Sequence, residues 1–263
     1  MKSIGFLAAL LCVTLAAQAE IKTEVVEYKD GDSTLKGFVA YDDAIHGKRP
    51  GIVVVHEWYG LNDYPKSRAE QLAKLGCVAF CANIYGDGFV TADPKIAGQK
   101  SGEAKKAGVL GRRGGLALEQ LKKNPNVDQT KTAAIGYCFG GTTVLEMARA
   151  GQDMVGVVSF HGGLTTENPA KPDAFKGKVL VCNGDADPLV PPEEVAAFEK
   201  EMKNANVDVK VIGYPEAKHA FTNPDADKAG LPPVSYNKAA DEKSWKDMQA
   251  FFAELFGPPT PKP

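Results

Sequence analysis

The stretch that decides the fold is Gly136-Tyr137-Cys138-Phe139-Gly140, which follows a short apolar run at residues 132–135 and precedes a helix-compatible segment at residues 142–150. When a buried strand turns directly into a helix, the middle residue of the turn stands at its crest, and flanking glycines remove side chains that would clash there. We therefore predict that Cys138 is presented as a nucleophile, at a helix N-terminus whose dipole favours the thiolate. On this pentapeptide alone, an inert buried cysteine beside two incidental glycines remains an equal alternative.

The rest of the chain supplies the sheet around this turn. From residue 51 onward, short β-rich runs alternate with longer helix-compatible segments, which predicts an α/β fold with a mostly parallel central sheet and helices on both faces. The expected strands are residues 52–56, 78–82, 132–136, 155–160, 179–183 and 207–214, and the expected helices are residues 65–75, 104–123, 142–150, 192–204 and 238–256. Residues 22–28 and 34–40 flank a turn and predict an antiparallel hairpin at a sheet edge. Residues 85–102 and 222–233 are expected to be loops that shape a pocket mouth.

Composition narrows the class of protein. The 263 residues include 31 Lys and Arg against 33 Asp and Glu, mixed along the chain, so the net charge is −2 and no nucleic-acid partner is expected. The hydrophobic content of 44% allows a large core, and no internal linker divides the chain. We predict a single domain over residues 20–257 and a disordered proline-rich tail at residues 258–263.

The first nineteen residues resemble a secretory signal peptide. Lys2 precedes an apolar run at residues 4–17, and Ala17-Gln18-Ala19 is a small-x-small cleavage signal. The run is shorter than the roughly 20 apolar residues that span a bilayer, which disfavours the alternative of an uncleaved membrane anchor. The sequence therefore predicts a secreted or periplasmic protein with no membrane association after cleavage.

The remaining cysteines do not predict a disulfide or metal site. Cys77 and Cys81 lie four residues apart in one predicted strand, about 13 Å, which is beyond bridging distance. Cys182 lies in another apolar run and is expected in the core, and without a C-x-x-C motif a redox protein is disfavoured. The segment beginning His56-Glu57 starts like H-E-x-x-H but has glycine in place of the second histidine. No metal and no cofactor is expected.

A thiol nucleophile needs a base and a carboxylate that orients the base, and in this architecture the chain order is nucleophile, acid, histidine. Asp185 and Asp187 follow the strand that ends at residue 183, and His219 follows the next strand. Because the carboxyl ends of parallel strands meet at one edge of a sheet, we expect Cys138, one of the aspartates and His219 to lie close together. Either aspartate could instead cap the helix that begins near residue 192.

The other histidines compete less well for the role of base. His46 lies in a polar loop and is expected to be exposed. His161 ends a strand on the catalytic side and could line the pocket, but it precedes the aspartates in the chain. His56 ends the first core strand, where a hydrogen bond to a nearby backbone group is the favoured interpretation over catalysis.

The turn after the first core strand adds two more candidates. Glu57 could hold a proton beside the resting thiol and so limit its oxidation, although an exposed, solvated acid remains an alternative. The backbone amides of Phe139 and Trp58 are the candidate donors to an oxyanion.

Five segments carry a resemblance to a known family. They are His56-Glu57-Trp58-Tyr59-Gly60-Leu61-Asn62, Ile84-Tyr85-Gly86, Gly136-Tyr137-Cys138-Phe139-Gly140-Gly141, residues 184–191 and His219-Ala220-Phe221. Over nearly all of the chain after residue 20, the sequence resembles the dienelactone hydrolase family of α/β-hydrolases. The resemblance implies the α/β-hydrolase fold, with Cys138 as nucleophile, Asp187 orienting His219 and Glu57 as the resting partner of the thiol. It also leaves Asp185 as the helix-capping residue.

The sequence departs from the family pattern at residues that would bind the substrate, and not at those that would carry out the reaction. The resemblance implies arginines that hold a substrate carboxylate, one of them a few residues after the histidine, yet the residues after His219 are Ala220-Phe221-Thr222-Asn223-Pro224. Residues 85–102 also lack arginine and offer only Lys95 and Lys100, which bind anions less directionally.

The expected function is cleavage of a small-molecule carboxylic ester or lactone through a Cys-His-Asp triad and a thioester acyl-enzyme. The alternative is a non-catalytic binding protein on the same scaffold, with Cys138 oxidised or inert. The sequence does not define an oligomeric state, with a monomer favoured.

Overall fold

The computed structural model describes residues 20–257, which build one eight-stranded sheet covered by six α-helices. The strands are β1 (Ile21–Asp30), β2 (Ser33–Asp42), β3 (Arg49–Val55), β4 (Val78–Ala82), β5 (Val127–Tyr137), β6 (Gly156–Phe160), β7 (Lys178–Gly184) and β8 (Asp208–Tyr214). The helices are α1 (Asp63–Lys74), α2 (Pro94–Lys106), α3 (Leu110–Lys123), α4 (Phe139–Arg149), α5 (Pro192–Asn204) and α6 (Lys238–Phe256). The predicted signal peptide at residues 1–19 and the predicted tail at residues 258–263 lie outside the described residues.

The sheet order is β1-β2-β4-β3-β5-β6-β7-β8. Strands β3 to β8 run parallel, while β1 and β2 form an antiparallel hairpin at one edge that joins the sheet through β4. The predicted α/β class and edge hairpin are both confirmed. Since β3, β5, β7 and β8 are parallel, the turns that follow them open at the same edge of the sheet.

Helices cover both faces, and each face has its own hydrophobic core. On one face, helices α3, α4 and α5 pack against alternate residues of the strands, such as Val53 and Ala134. On the other face, helices α1 and α6 pack against the intervening residues, such as Ile52 and Ile135. The long apolar runs of β3 and β5 therefore reflect burial of both faces of a parallel sheet.

One predicted helix boundary is wrong. The sequence predicts a single helix at residues 104–123 after a loop at residues 85–102, but the structure has two helices, α2 and α3, and α2 begins within the predicted loop. Asp93 caps α2 by accepting from the amide of Lys95 at 2.8 Å, and Pro94 occupies the first helical turn. Gly108, with φ of 63°, lies between the two helices in a conformation that ends α2.

Within residues 20–257, no helix is long and apolar enough to cross a bilayer. Cys77, Cys81, Cys138 and Cys182 are all free thiols, as the spacing of the first two predicts.

Candidate active site

The nucleophile turn joins β5 to α4 with no intervening loop. Strand β5 ends at Tyr137, helix α4 begins at Phe139, and Cys138 between them has φ of 54° and ψ of −115°. A non-glycine residue in this region stores backbone strain, and such strain persists only where the surrounding structure imposes it. Close packing explains the glycines on either side, because a Cβ atom on Gly136 would overlap the Gly140 carbonyl and one on Gly140 would overlap the Val55 carbonyl.

His219 connects the thiol to a carboxylate. Its Nε2 atom lies 3.0 Å from Cys138 Sγ, and its Nδ1 atom lies 2.8 Å from Asp187 Oδ2. Asp187 is buried, and its second oxygen accepts from the amide of Leu189 at 2.8 Å. The carboxylate is therefore fixed by the turn after β7, and it holds the imidazole in the orientation that points Nε2 at sulfur.

The electrostatics of this triple favour a charged imidazole. Burial alone would lower the pKa of His219, but the adjacent Cys138 sulfur and the hydrogen bond to Asp187 outweigh it and raise the pKa to about 10. Near neutral pH the imidazolium donates to sulfur from one nitrogen and to the carboxylate from the other. Such an arrangement favours an activated sulfur nucleophile.

Glu57 lies in the same site and is almost fully buried. Its Oε2 atom accepts from Asn223 Nδ2 at 2.6 Å, and burial raises the pKa of its carboxyl group from 4.5 to about 7, against the opposing effects of the Asn223 hydrogen bond and the His219 charge. The alternative of a solvated surface acid is therefore wrong. The sulfur's hydrogen-bond partner in this state is His219, while Glu57 is held by Asn223.

The loop after β3 is fixed by His56. The amide of Ile84 donates to His56 Nε2 at 3.2 Å, so Nδ1 carries the proton and donates to the Glu57 carbonyl at 2.6 Å. Burial lowers the pKa of His56 to about 4, which keeps the ring neutral. The backbone-bonding interpretation of His56 is confirmed, and its effect is to hold the main chain of Glu57.

The two candidate oxyanion donors belong to different segments, helix α4 and the loop after β3. Phe139 is the first residue of α4, so its amide has no intrahelical acceptor. Trp58 lies in the loop after β3, where the Tyr85 hydroxyl donates to its carbonyl at 2.9 Å and holds the loop in place.

His161 contributes to the site in a way the sequence did not indicate. The Cys138 amide donates to the Phe160 carbonyl at 3.0 Å and to His161 Nδ1 at 3.1 Å, so the His161 proton lies on Nε2, which donates to Thr222 Oγ1 at 2.7 Å. Burial and the neighbouring His219 charge hold the pKa of His161 well below 6.5. The ring centroids of His161 and His219 are 5.3 Å apart, so a neutral His161 supports both the nucleophile's backbone and the base.

These residues open into a cavity of about 710 Å³, a size typical of small-molecule sites. Cys138, His219 and Glu57 lie in its wall, and the segments 90–92 and 225–234 form its mouth. The predicted loop at residues 222–233 therefore shapes the pocket. Of residues 85–102, only the part before α2 does so. Among the described residues, no cluster of three His, Cys, Asp or Glu side chains is arranged to hold a metal ion.

Two residues near the site differ from what the sequence predicts or indicates. The assignment of Asp185 as the helix cap is wrong, because the N-cap of α5 is Pro191 and no side chain bonds there. The sequence does not indicate a role for Asn223, whose bond to Glu57 joins positions 166 residues apart.

A parallel sheet of this order, with a thiol at the turn from strand to helix and a histidine and aspartate at neighbouring strand ends, defines an α/β-hydrolase. The model of the dienelactone hydrolase family matches residues 35–256, and the chain belongs to that family. It is a hydrolase of the ester and lactone type.

Several known proteins are similar to this chain along most of their length. A dienelactone hydrolase-like promiscuous phosphotriesterase from metagenomic libraries is 39% identical, with a TM-score of 0.86 over 91% of this chain and 100% of its own. The structure of a protein named m3DLH is 37% identical, with a TM-score of 0.86 over 90% of this chain and 99% of its own. A Synechocystis protein named "Putative carboxymethylenebutenolidase" is 26% identical over 89% of this chain and 97% of its own.

Proposed function

We propose that the protein cleaves a small-molecule carboxylic ester or lactone through a thioester on Cys138, with His219 as base and Asp187 as its orienting carboxylate. The observation that carries this proposal is the position of His219, with one ring nitrogen 3.0 Å from Cys138 Sγ and the other 2.8 Å from Asp187 Oδ2. Nucleophile, base and orienting acid in hydrogen-bond reach of one another are the requirement for acyl transfer.

In the first half-reaction, Cys138 Sγ attacks the carbonyl carbon while its proton resides on His219 Nε2. The carbonyl π electrons move to oxygen, and the amides of Phe139 and Trp58 donate to the resulting oxyanion. When the oxyanion collapses, the carbon–oxygen bond to the alcohol breaks and His219 gives its proton to the leaving oxygen. The product is a thioester, which in a lactone still carries the alcohol on the same molecule.

The second half-reaction frees the Cys138 sulfur. A water molecule loses a proton to His219 Nε2 and attacks the thioester carbonyl, and collapse of the second oxyanion breaks the carbon–sulfur bond. The acid leaves, and sulfur and imidazole return to their starting protonation states. Asp187 stays bonded to His219 Nδ1 and keeps Nε2 directed at the reacting atoms.

Glu57 has a separate proposed role in the resting enzyme. Its carboxyl pKa of about 7 allows it to exchange a proton near neutral pH in the wall that also holds the sulfur. We propose that it is the partner of the thiol in a second resting arrangement, in which Cys138 is protonated and not bonded to His219, and that it limits oxidation of the sulfur there.

The central experiment compares Cys138→Ala with Cys77→Ala. Hydrolysis of 4-nitrophenyl acetate should disappear in Cys138→Ala and persist in Cys77→Ala. Burial raises the pKa of the Cys77 thiol to about 12, so Cys77 has little thiolate at neutral pH. Iodoacetamide at neutral pH should label Cys138 first and abolish activity in step. Full activity in Cys138→Ala would refute the nucleophile, and slow labelling of all four thiols would favour the non-catalytic binding protein.

A second candidate activity is hydrolysis of a phosphotriester, favoured by the 39% identity with a promiscuous phosphotriesterase over the whole of that protein. The same sulfur would attack phosphorus, and an alcohol would leave with the proton held by His219. Water that loses a proton to His219 would then attack phosphorus and break the phosphorus–sulfur bond, which releases a phosphodiester and frees Cys138. Release of 4-nitrophenol from diethyl 4-nitrophenyl phosphate by the wild type but not by Cys138→Ala is the expected result. Equal release by both proteins would exclude this activity.

We also propose that the protein is exported, on the basis of the predicted signal peptide at residues 1–19. Expression of the full chain in a Gram-negative host should yield periplasmic protein whose N-terminal residue is Glu20. An intact N-terminus in the cytosolic fraction would contradict export.

A further inference from the structure

The catalytic cavity contains an acid where an anionic substrate would need a cation. The buried carboxyl group of Glu57 is bonded by the neutral amide of Asn223 at 2.6 Å, four residues after His219. Both ring nitrogens of His219 are occupied, one by Asp187 and the other by Cys138. Arg68, a buried arginine whose charge acts on Glu57, is already bonded to Asp241 and to the Thr222 carbonyl. Among residues 20–257, a carboxylate delivered beside Cys138 would therefore meet another acid and find no free cation in the buried wall.

The mouth of the cavity does not supply that cation either. Among the residues that the structure places along the cavity, the only lysine or arginine is Lys228. Its ammonium group lies 2.7 Å from Asp225, and both side chains are largely exposed to solvent. Asp63 adds another exposed acid to the same wall and pairs only weakly, at 3.5 Å, with Lys66.

Apolar side chains make up much of the remaining wall. Trp58, Leu231 and Val234 line the cavity, and so do Val90 and Leu189, which leave about half of their surface exposed. Large exposed apolar side chains grouped at a pocket entrance are typical of a binding surface for an apolar group. A charged substrate group on this surface would lose its hydration without finding a hydrogen-bond or ion-pair partner, so its binding would be weakened.

From these contacts we infer that the natural substrate is an uncharged ester or lactone with an apolar acyl or alkyl group, and that a carboxylate near the scissile bond is selected against. This inference rests on the proposed function for its chemistry, since it describes the substrate of the same site. Its physical basis is separate, because it depends on the charges and apolar surface of the cavity.

The test uses two aryl esters of similar length that differ in one charge, 4-nitrophenyl butyrate and mono-4-nitrophenyl succinate. At pH 8, with rates corrected for uncatalysed hydrolysis, we expect kcat/KM to be at least about tenfold higher for the butyrate. Calorimetric binding of both esters to Cys138→Ala should give a similar ratio of dissociation constants, without any turnover.

The two measurements separate this inference from the proposed function. Equal binding of both esters, or tighter binding of the succinate, would overturn the inference whatever the turnover. A preference for the butyrate in binding, with no hydrolysis of either ester by the wild type, would support the inference and refute the proposed function.

A pair of charge variants locates the effect. Asp225→Asn leaves Lys228 without its partner at the mouth, so the butyrate preference should narrow about twofold or more. Glu24→Gln, on the exposed edge strand β1, changes the net charge by the same amount as Asp225→Asn. It should leave the ratio of kcat/KM for the two esters unchanged. A ratio that moves equally in both variants would mean that the net charge of the protein governs it, which would overturn the inference.

Discussion

Replacing Glu57 with glutamine should stabilise the protein, and only above mildly acidic pH. The carboxyl pKa of Glu57 is about 7 in the folded protein against 4.5 in an unfolded chain, chiefly because burial disfavours its charged form. Below pH 4.5 the group is protonated in both states and carries no penalty. Between about pH 4.5 and 7 the unfolded chain loses its proton first, so the stability of the wild type falls as pH rises, and above pH 7 the penalty is constant.

The size of this penalty follows from the two pKa values. A tenfold change in proton affinity corresponds to about 1.4 kcal/mol. The difference between the folded pKa of about 7 and the unfolded pKa of 4.5 therefore lowers the free energy of unfolding by roughly 3 kcal/mol above pH 7. Glutamine cannot ionise, and its side-chain oxygen can still accept from Asn223. The gain in unfolding free energy of Glu57→Gln should therefore be about 3 kcal/mol larger at pH 8 than at pH 4.5, equivalent to a rise in Tm of about 6–12 °C.

Urea unfolding followed by circular dichroism at the two pH values measures this difference. The ionisation of His219 occurs in both proteins and largely cancels in the comparison. Glu24→Gln, on the exposed edge strand, is the control and should show the same small effect at both pH values. A gain for Glu57→Gln that is equal at pH 4.5 and 8 would refute a titrating buried carboxyl group.

Three further changes test the geometry of the site. Gly140→Ala should lower the free energy of unfolding, measured in urea, by about 3 kcal/mol or more, because the new methyl group meets backbone. Gly102→Ala, in open space on α2, should leave it unchanged or raise it by about 1 kcal/mol. Similar values for the two variants would contradict the close packing at the Cys138 turn. Asp187→Asn should lower kcat by about 10³ to 10⁴ with KM little changed, since the amide no longer selects the productive tautomer of His219, and an unchanged kcat would remove the acid from the triad. His161→Phe should lower kcat by about tenfold, because the Cys138 amide loses one acceptor. His161→Asn should lower kcat less, because the asparagine oxygen can accept from that amide. An equal loss of kcat in both variants would indicate that His161 contributes only by packing.

The sequence predicted those parts of the molecule that depend on local rules. The elbow at Cys138 follows from glycine spacing between a strand and a helix, and the order of Asp187 and His219 follows from the direction of the parallel strands. The break between α2 and α3 is not predicted, although its signals are local. Asp93-Pro94 starts α2 and Gly108 ends it, but the strong helix formers on either side of the glycine masked the boundary.

The parts that the sequence did not predict depend on tertiary contacts. Asn223 meets Glu57 only because the loop after β8 folds over the end of β3, and no local pattern in either segment indicates this contact. The chain order of the triad disfavours His161 as the base, because His161 precedes the aspartates. Its position at the end of β6, next to β5, was the available signal, since neighbouring parallel strands end side by side.

Catalysis requires the last strand of the sheet to be folded, because the base, His219, follows β8. His219 lies 81 residues after the nucleophile and follows β8, an edge strand whose strand pairing is with β7. Contacts of such long sequence separation form late, because the loop between them must first be closed. A chain that has folded from β3 to β7 would display the thiol without an activating histidine, and loosening of the β8 edge would have the same effect. Loss of turnover should therefore precede loss of secondary structure as denaturant is added, since edge elements open at lower free energy than the core.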